Sequence, residues 1–267
     1  MKSYIVALDL HGTLLDLNWK ISAGQETALA ERLNEIKDIA DVYLCTGNDF
    51  SFVESYVPAE VMSHVKGCIL ESGCVLNNLS QDICLTTSDT IDKASRLQSY
   101  LEKKQYPFVK YFGQRKTTVT LFTCDEQSGE SPEKYHDLVD KDLKSSEFGE
   151  DFYITYSNVA LDIVPINHSK WYTLKKIAQD TGEDCKIISF MDSYNDKEVV
   201  KYSDYSFLPQ NASDSLIQYL RAHTKLIFPV GKFHFFRGIA YLCSEKYTEA
   251  VVAGLRFFKH ADKHKKI

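Results

Sequence analysis

The first part of the chain alternates between short apolar runs and an amphipathic helix. Residues 4–8 read Tyr-Ile-Val-Ala-Leu, a run without polar alternation that is typical of a parallel strand covered on both faces. Between Ser22 and Lys37, apolar residues recur at the spacing of one helix face, and residues 42–45 form a second apolar run. Strand, helix and strand of these lengths make a βαβ unit, so the pattern predicts an open α/β sheet.

The pattern changes between residues 83 and 164. There the chain reads strand, helix, two strands, helix and two strands, and residues 117–123 alternate and are rich in β-branched side chains. Such alternation is typical of an antiparallel strand with one solvated face. After Pro165 the first pattern resumes. We therefore predict a doubly wound α/β core, residues 1–82 and 165–267, with a smaller α+β domain, residues 83–164, inserted in it.

The C-terminal part of the core is predicted to contain two helices, over residues 233–243 and 245–260. In the second helix Val251, Leu255 and Phe258 share one apolar face. Two alternatives follow for this face, which either packs on the chain's own sheet or forms a dimer contact.

Composition and charge narrow the classes of function. The 267 residues are 44% hydrophobic and 25% charged, as in ordinary globular proteins. A net charge of −6 argues against a nucleic-acid partner, and no apolar run reaches the roughly 18 residues of a membrane span. No secretory leader pattern opens the sequence, and the seven cysteines lack Cys-x-x-Cys spacing. We expect a cytoplasmic protein without a membrane partner, either a monomer or a homodimer.

Polar residues follow the predicted strands, at the edge where open α/β sheets bind ligands. They are Asp9, His11 and Gly12 after the first strand, Thr46 and Gly47 after the second, Lys170 at a helix start, and Asp192, Asn195 and Asp196 after a later strand. Carboxylate and amide oxygens suit Mg²⁺, and a hydroxyl beside free backbone N–H groups suits an anion. Taken singly, each group is better explained as an ordinary turn or cap, so the joint pattern carries the prediction.

In this order, around an inserted domain, the residues resemble the haloacid dehalogenase superfamily of phosphotransferases, and within it the Cof-type sugar phosphatases. The family's Asp-x-Asp-Gly-Thr motif is matched by Asp9, Gly12 and Thr13, its Thr-Gly motif by residues 46–47, its Lys by Lys170, and its Gly-Asp-x-x-Asn-Asp motif by residues 191–196. The resemblance extends to about Ser215. It implies a Rossmann-like parallel sheet with an inserted α+β cap.

The resemblance also implies a function, namely Mg²⁺-dependent hydrolysis of a small-molecule phosphate ester, with sugar phosphates as the leading class. Asp9 would attack phosphorus and form an aspartyl-phosphate. Mg²⁺ would be held by Asp9, the backbone carbonyl of His11 and Asp192. The phosphoryl oxygens would be bound by Thr46, Gly47, Lys170 and Asn195. Asp196 would orient Lys170 or the water ligands of the metal.

His11 is the departure that matters, because phosphatases of the family carry Asp there to protonate the leaving group and then activate water. Histidine can do both in principle. Three alternatives follow: His11 is the acid/base of a phosphatase, the chain is a slow or altered-chemistry member, or it is a degenerate, non-catalytic protein that binds phosphate or a sugar phosphate. Because the other site residues are retained, we predict an intact Mg²⁺ and phosphate site and active phosphoryl chemistry.

The inserted domain offers two cations just before its alternating strand. Arg115 and Lys116 either meet an anionic substrate above the core or form a solvated edge turn. The residues alone leave both alternatives open.

Overall fold

The computed structural model describes residues 2–123, 131–223, 225–231 and 235–263. The chain first forms β1 (Tyr4–Asp9), α1 (Glu26–Ile36), β2 (Ala40–Cys45), α2 (Phe50–Tyr56), α3 (Ala59–Met62), β3 (Gly67–Leu70), β4 (Val75–Asn77) and β5 (Asp82–Cys84). It continues with α4 (Ser88–Glu102), β6 (Tyr111–Phe112), β7 (Val119–Phe122), α5 (Glu133–Lys144), β8 (Phe152–Tyr156) and β9 (Ala160–Pro165). It ends with α6 (Lys170–Thr181), β10 (Lys186–Phe190), α7 (Lys197–Tyr202), β11 (Tyr205–Leu208), α8 (Asp214–Ala222), β12 (Ile227–Pro229), β13 (Ile239–Leu242) and α9 (Tyr247–Lys263). Among these described helices, none combines the length and apolar character needed to span a membrane.

The large sheet has the strand order β12-β13-β11-β10-β1-β2-β3-β4-β5. The strands from β12 to β3 pair in parallel, and β4 and β5 extend the sheet in antiparallel fashion. In β1 every residue is buried, and alternate side chains enter two different apolar clusters: Val6 packs with residues of α1 and α9, and Ile5 packs with residues of α6, α7 and α8. The unbroken apolar run of β1 is thus explained by cover on both faces, and the predicted α/β core is confirmed.

A second, antiparallel sheet has the order β6-β7-β9-β8 and packs with α4 and α5 around its own apolar cluster. The predicted alternating strand is β7, so the α+β character of the insertion is confirmed. One strand is placed differently from the prediction. β5 pairs with β4 in the large sheet, and the predicted boundary between residues 82 and 83 falls inside it. The three residues of β5 are exposed, so their sequence has no hydrophobic pattern that would show which of the two sheets they pair with.

Two predicted helices differ in the structure. α1 begins at Glu26 rather than near Ser22, because Ser22 turns away to donate a hydrogen bond from Oγ to Glu249 in α9 (2.7 Å). The predicted helix over residues 233–243 is wrong: residues 232–234 lie outside the described residues, and residues 239–242 form β13, which pairs with β11 and β12.

The apolar face of the last helix packs within the same chain. Val251, Leu255 and Phe258 are almost fully buried in the cluster that also contains the buried side chains of α1. This decides between the two alternatives for the face in favour of packing on the chain's own sheet.

Candidate functional site

The residues predicted to form the site meet at the carboxyl edge of the large sheet. β10, β1 and β2 are neighbours, and Asp192, Asp9 and Thr46 lie at or shortly after their last residues. Because parallel strands end at the same edge, residues far apart in the chain come together there. Lys170 is the first residue of α6, as predicted, and Ser169 caps this helix.

Three buried carboxylates form the centre of the site. Oxygens of Asp9, Asp192 and Asp196 all lie within 4.8 Å of one another. The Nζ of Lys170, whose side chain is 4% exposed, donates hydrogen bonds to Oδ1 of Asp9 (2.6 Å) and Oδ1 of Asp196 (2.7 Å). Within the described part of the chain, the three carboxylates thus share the single ammonium group of Lys170. The cluster therefore carries excess negative charge in a place removed from water.

Burial has the largest influence on the pKa values of these carboxyls, and repulsion from Asp9 adds to it at Asp192 and Asp196. Burial raises the pKa of the Asp9 carboxyl, raises that of Asp192 well above its usual range, and raises that of Asp196 to about 6. Burial alone would lower the pKa of Lys170, but Asp196 and Asp9 outweigh it and raise that pKa, so the ammonium is a fixed positive charge. A divalent cation would relieve the repulsion, and carboxylate oxygens are the ligands that Mg²⁺ prefers. The donor set therefore fits Mg²⁺.

The turn after β1 holds Asp192 in its position. Gly12 has a φ of +84°, and a Cβ there would lie 2.2 Å from Oδ2 of Asp192, so this approach requires glycine. Thr13 donates from Oγ1 to Oδ1 of Asp192 (3.1 Å), and Asn211 donates from Nδ2 to the carbonyl of Gly12 (2.7 Å). The sequence motif contains Thr13, but only the structure identifies its partner.

The loop after β2 brings its predicted phosphate-binding groups into the same cavity. Thr46 is buried, and its Oγ1 accepts hydrogen bonds from the backbone N–H (3.1 Å) and side-chain amide (3.3 Å) of Asn48. Gly47 and Asn195 line the cavity with it, and Oδ1 of Asn195 accepts a hydrogen bond from Ser193 Oγ (2.7 Å). All the predicted site residues are therefore in or beside one cavity.

His11 borders this cavity beside Trp19, with their ring centroids 6.4 Å apart. Burial lowers the pKa of the imidazole to about 4, and the negative charge of Asp16 opposes this only in part. The surroundings of His11 therefore favour the neutral imidazole over the protonated one.

Arg115 reaches from the segment between β6 and β7 to the loop after β2. Its Nε donates to the carbonyl of Gly47 (2.9 Å), and its Nη2 donates to Oδ1 of Asn48. Nearby, the buried carboxylate of Glu71 accepts hydrogen bonds from the N–H (2.7 Å) and the hydroxyl (2.5 Å) of Thr117. Arg115 is thus not part of a solvated edge turn, because it bonds directly to the loop that carries the predicted phosphate-binding groups.

Two more residues of the antiparallel sheet and its loops face the site. Asn158, between β8 and β9, donates from Nδ2 to Oδ2 of Asp192 (3.0 Å). Asp162 in β9 accepts a hydrogen bond from Thr120 Oγ1 (2.8 Å), lines the cavity, and has its pKa raised by burial. The sequence assigned no role to either residue, because an Asn in a turn and an Asp in a strand carry no local signal.

Comparison with known proteins extends over most of the chain. The sequence model of the haloacid dehalogenase-like hydrolase family matches residues 6–146 and 130–226. No curated protein matches the chain in sequence.

Solved structures share the whole architecture. The sucrose-phosphatase of Synechocystis, solved with sucrose and phosphate, has a TM-score of 0.68 at 13% identity and covers 98% of this chain and 99% of its own. A HAD/COF-like hydrolase from Plasmodium vivax has a TM-score of 0.66 at 18% identity, and the match covers 97% of this chain and 95% of that protein. A haloacid dehalogenase-like hydrolase from B. subtilis has a TM-score of 0.65 at 17% identity, and the match covers 96% of this chain and 99% of that protein. At such identities the likeness concerns the fold, a Rossmann-like core with a cap.

Proposed function

Since the chain belongs to the haloacid dehalogenase-like hydrolases, we propose that it is a Mg²⁺-dependent phosphomonoesterase that forms an aspartyl-phosphate at Asp9. One observation carries this proposal: Asp9 and Lys170 line a cavity beside Thr46, and the buried carboxylates of Asp192 and Asp196 lie directly against them. A carboxylate nucleophile, oxygen ligands for a cation and groups that bind phosphoryl oxygens are what phosphate transfer to a carboxylate requires.

The proposed reaction has two steps. In the first, a carboxylate oxygen of Asp9 attacks the ester phosphorus, the new P–O bond forms, and the bond to the alcohol oxygen breaks as that oxygen takes a proton. In the second, water attacks the same phosphorus, the bond to Asp9 breaks, and inorganic phosphate leaves. His11 is the proposed proton carrier, accepting a proton from the water and returning one to the next alcohol. Its buried surroundings disfavour the protonated ring, which is a physical reason to expect slow turnover.

The remaining residues bind and orient. Lys170, Thr46, Gly47 and Asn195 are proposed to bind the phosphoryl oxygens, and Asp196 holds Lys170 through their 2.7 Å contact. Asp9, Asp192 and the backbone carbonyl of His11 would hold Mg²⁺. The ion would supply positive charge between the carboxylate and the phosphoryl group, two anions that otherwise repel each other.

Sugar phosphates are the substrate class that we propose. The sequence motifs resemble those of Cof-type sugar phosphatases, and the related sucrose-phosphatase structure was solved with sucrose and phosphate. The cavity, of about 860 Å³, is large enough for a sugar phosphate, and its polar lining includes Asp162 and Thr120 of the antiparallel sheet.

The test is release of inorganic phosphate by the purified protein. We expect hydrolysis of 4-nitrophenyl phosphate with Mg²⁺ and its loss with a chelator, followed by faster hydrolysis of at least one hexose phosphate in a panel of esters. The matched control is Asp9→Asn protein from the same preparation, which excludes a contaminating phosphatase. Binding of phosphate without hydrolysis of any ester would contradict the proposal and favour the non-catalytic alternative.

A further inference from the structure

The turn between residues 16 and 20 holds a tryptophan in an unusual backbone conformation. Trp19 has a φ of 60°, in the left-handed region that large side chains rarely adopt. The turn is closed by Asp16, whose Oδ1 accepts hydrogen bonds from the N–H of Asn18 (2.8 Å) and of Lys20 (3.0 Å). The N–H of Trp19 donates to the carbonyl of Asp16 (3.0 Å). Backbone strain that local hydrogen bonds hold in place is a reason to ask what the side chain does.

The indole of Trp19 packs against α2 and also lines the cavity. Its ring meets Phe52 (5.8 Å between centroids) and Tyr56 (5.1 Å) edge-on, and both of these residues lie on α2. Yet 40% of Trp19 is exposed, and it lines the cavity that contains Asp9. The aromatic contacts fix the ring, and the remaining surface is available to a bound molecule.

The same cavity has a second aromatic wall on the cap. Tyr111 of β6 stacks on Phe122 of β7 with centroids 4.5 Å apart, and 53% of Tyr111 is exposed. Both residues line the cavity together with Trp19. A phosphoryl group at Asp9 would fill a small part of about 860 Å³, which leaves room beside these rings for the alcohol of the ester.

We propose that Trp19 is the specificity-determining residue of this site, and that the substrate is a phosphate ester whose alcohol carries a ring with a flat apolar face. The proposal rests on the proposed function and narrows its substrate class. An aromatic ring and the C–H face of a sugar share this chemistry, because both pack face-on against an indole.

Binding of non-hydrolysable phosphonates tests the proposal without turnover. The chain has two tryptophans, so Trp171→Phe leaves Trp19 as the fluorescent reporter. In the presence of Mg²⁺, we expect phenylphosphonate to quench this fluorescence and to bind at least tenfold more tightly than methylphosphonate. Calorimetry measures the same two affinities in variants that keep Trp171. Trp19→Ala should abolish the preference for phenylphosphonate over methylphosphonate, and Trp19→Phe should retain most of it. Phe236→Ala, at a comparably exposed aromatic residue outside the cavity, should leave the preference unchanged.

Turnover measurements distinguish a sugar ring from an aromatic ring in the alcohol of the substrate. With glucose 6-phosphate and glycerol 3-phosphate, both primary alkyl esters, we expect Trp19→Ala to raise KM for the sugar ester by about tenfold and to change KM for glycerol 3-phosphate little. The same comparison of phenyl phosphate with methyl phosphate tests an aromatic ring. A KM effect on the cyclic ester in either pair supports the proposal.

The outcomes also distinguish this proposal from the proposed function. If ring preference is equal in wild type and Trp19→Ala while esters are still hydrolysed, the role of Trp19 is overturned and the hydrolase stands. If phenylphosphonate binds in a Trp19-dependent manner while no ester is hydrolysed, the hydrolase fails and the role of Trp19 stands. Quenching is read from Trp19 itself in the Trp171→Phe protein, so this part of the test does not depend on the folding of Trp19→Ala. Binding of phenylphosphonate without quenching would overturn the role of Trp19.

Discussion

The carboxyl edge of the large sheet and the face of the antiparallel sheet above it both contribute residues to one cavity, but in different ways. The edge supplies groups that contact one another directly, such as Asp9 and Lys170 at 2.6 Å. The cap supplies single residues that hydrogen-bond to the edge. Arg115 donates to the carbonyl of Gly47, and Asn158 donates to the carboxylate of Asp192. We therefore place the proposed chemistry at the edge, whereas the contacts from the cap position the loop after β2 and the carboxylate of Asp192.

This difference explains why substitutions in the two regions should have different effects. Loss of a group at the edge removes a reacting or charge-bearing atom, which lowers kcat. Loss of a cap residue changes how the substrate and the loops are positioned, which affects KM and kcat more moderately. Four substitutions test this comparison.

The largest effect is expected from Asp9→Asn. Asparagine has nearly the same shape but is not an anionic nucleophile, so turnover should fall by at least about 10³-fold. Phosphate release and circular dichroism measure the activity and the fold. The control is Asp184→Asn at an exposed aspartate, expected to be as active as wild type. Turnover of the Asp9→Asn protein near the wild-type rate would remove Asp9 from the role of nucleophile.

Asp192→Ala should weaken Mg²⁺ binding by about 10²-fold or more, since even outer-sphere partners of a bound metal contribute 10–100-fold. Asp16→Ala is the matched control, because the Asp16 carboxylate bonds to the backbone of its own turn. Calorimetric titration with Mg²⁺ measures both affinities. Equal affinity in the two variants would show that the carboxylate cluster is not the metal site.

On the cap side, Arg115→Ala should lower kcat/KM by about tenfold, because it removes charge-assisted hydrogen bonds to Gly47 and Asn48. Arg115→Lys should recover little of this, since an ammonium lacks the planar fork that meets both acceptors. Lys116→Ala, at the exposed neighbouring cation, is the control. If Arg115→Ala matches Asp9→Asn in its loss of kcat, the distinction between edge and cap does not hold.

The smallest effect, and the one whose sign matters, concerns His11→Asp. A carboxyl group at this position can hydrogen-bond the leaving oxygen without placing a cation beside Mg²⁺, so we expect a several-fold rise in turnover of a hexose phosphate. If His11 is already an efficient acid/base, His11→Asp will instead slow the enzyme, and His11→Ala will slow it by about 10²–10⁴-fold. Steady-state rates of the three proteins over a range of pH distinguish these outcomes.

Much of the edge could be predicted from the sequence because its signals are local. A buried parallel strand shows as an unbroken apolar run, and the residue after it must lie at the carboxyl edge, as Asp9 and Thr46 do. The start of α6 at Lys170 could also be predicted, because Asn167 and Ser169 before it are both residue types that cap helices, and the structure shows that Ser169 is the cap. The prediction failed where a short apolar run suits either element. Residues 239–242 became β13 because β11 offers them a parallel edge, with Ile239 opposite Tyr205.

The sequence by itself thus determined the order of strand-end residues, and with it the resemblance to a phosphotransferase family and the set Asp9, Thr46, Lys170 and Asp192. Only the tertiary structure decided what lies above them. Arg115 bonds to a loop 68 positions away, and Asn158 bonds to a carboxylate 34 positions away. Neither contact could be predicted from hydrophobic periodicity or helix capping. Each hydrogen bond forms only because the antiparallel sheet docks over the edge of the large sheet. Trp19 acquires its place for the same reason, because its ring packs on a helix that begins 31 residues later in the chain, at Phe50.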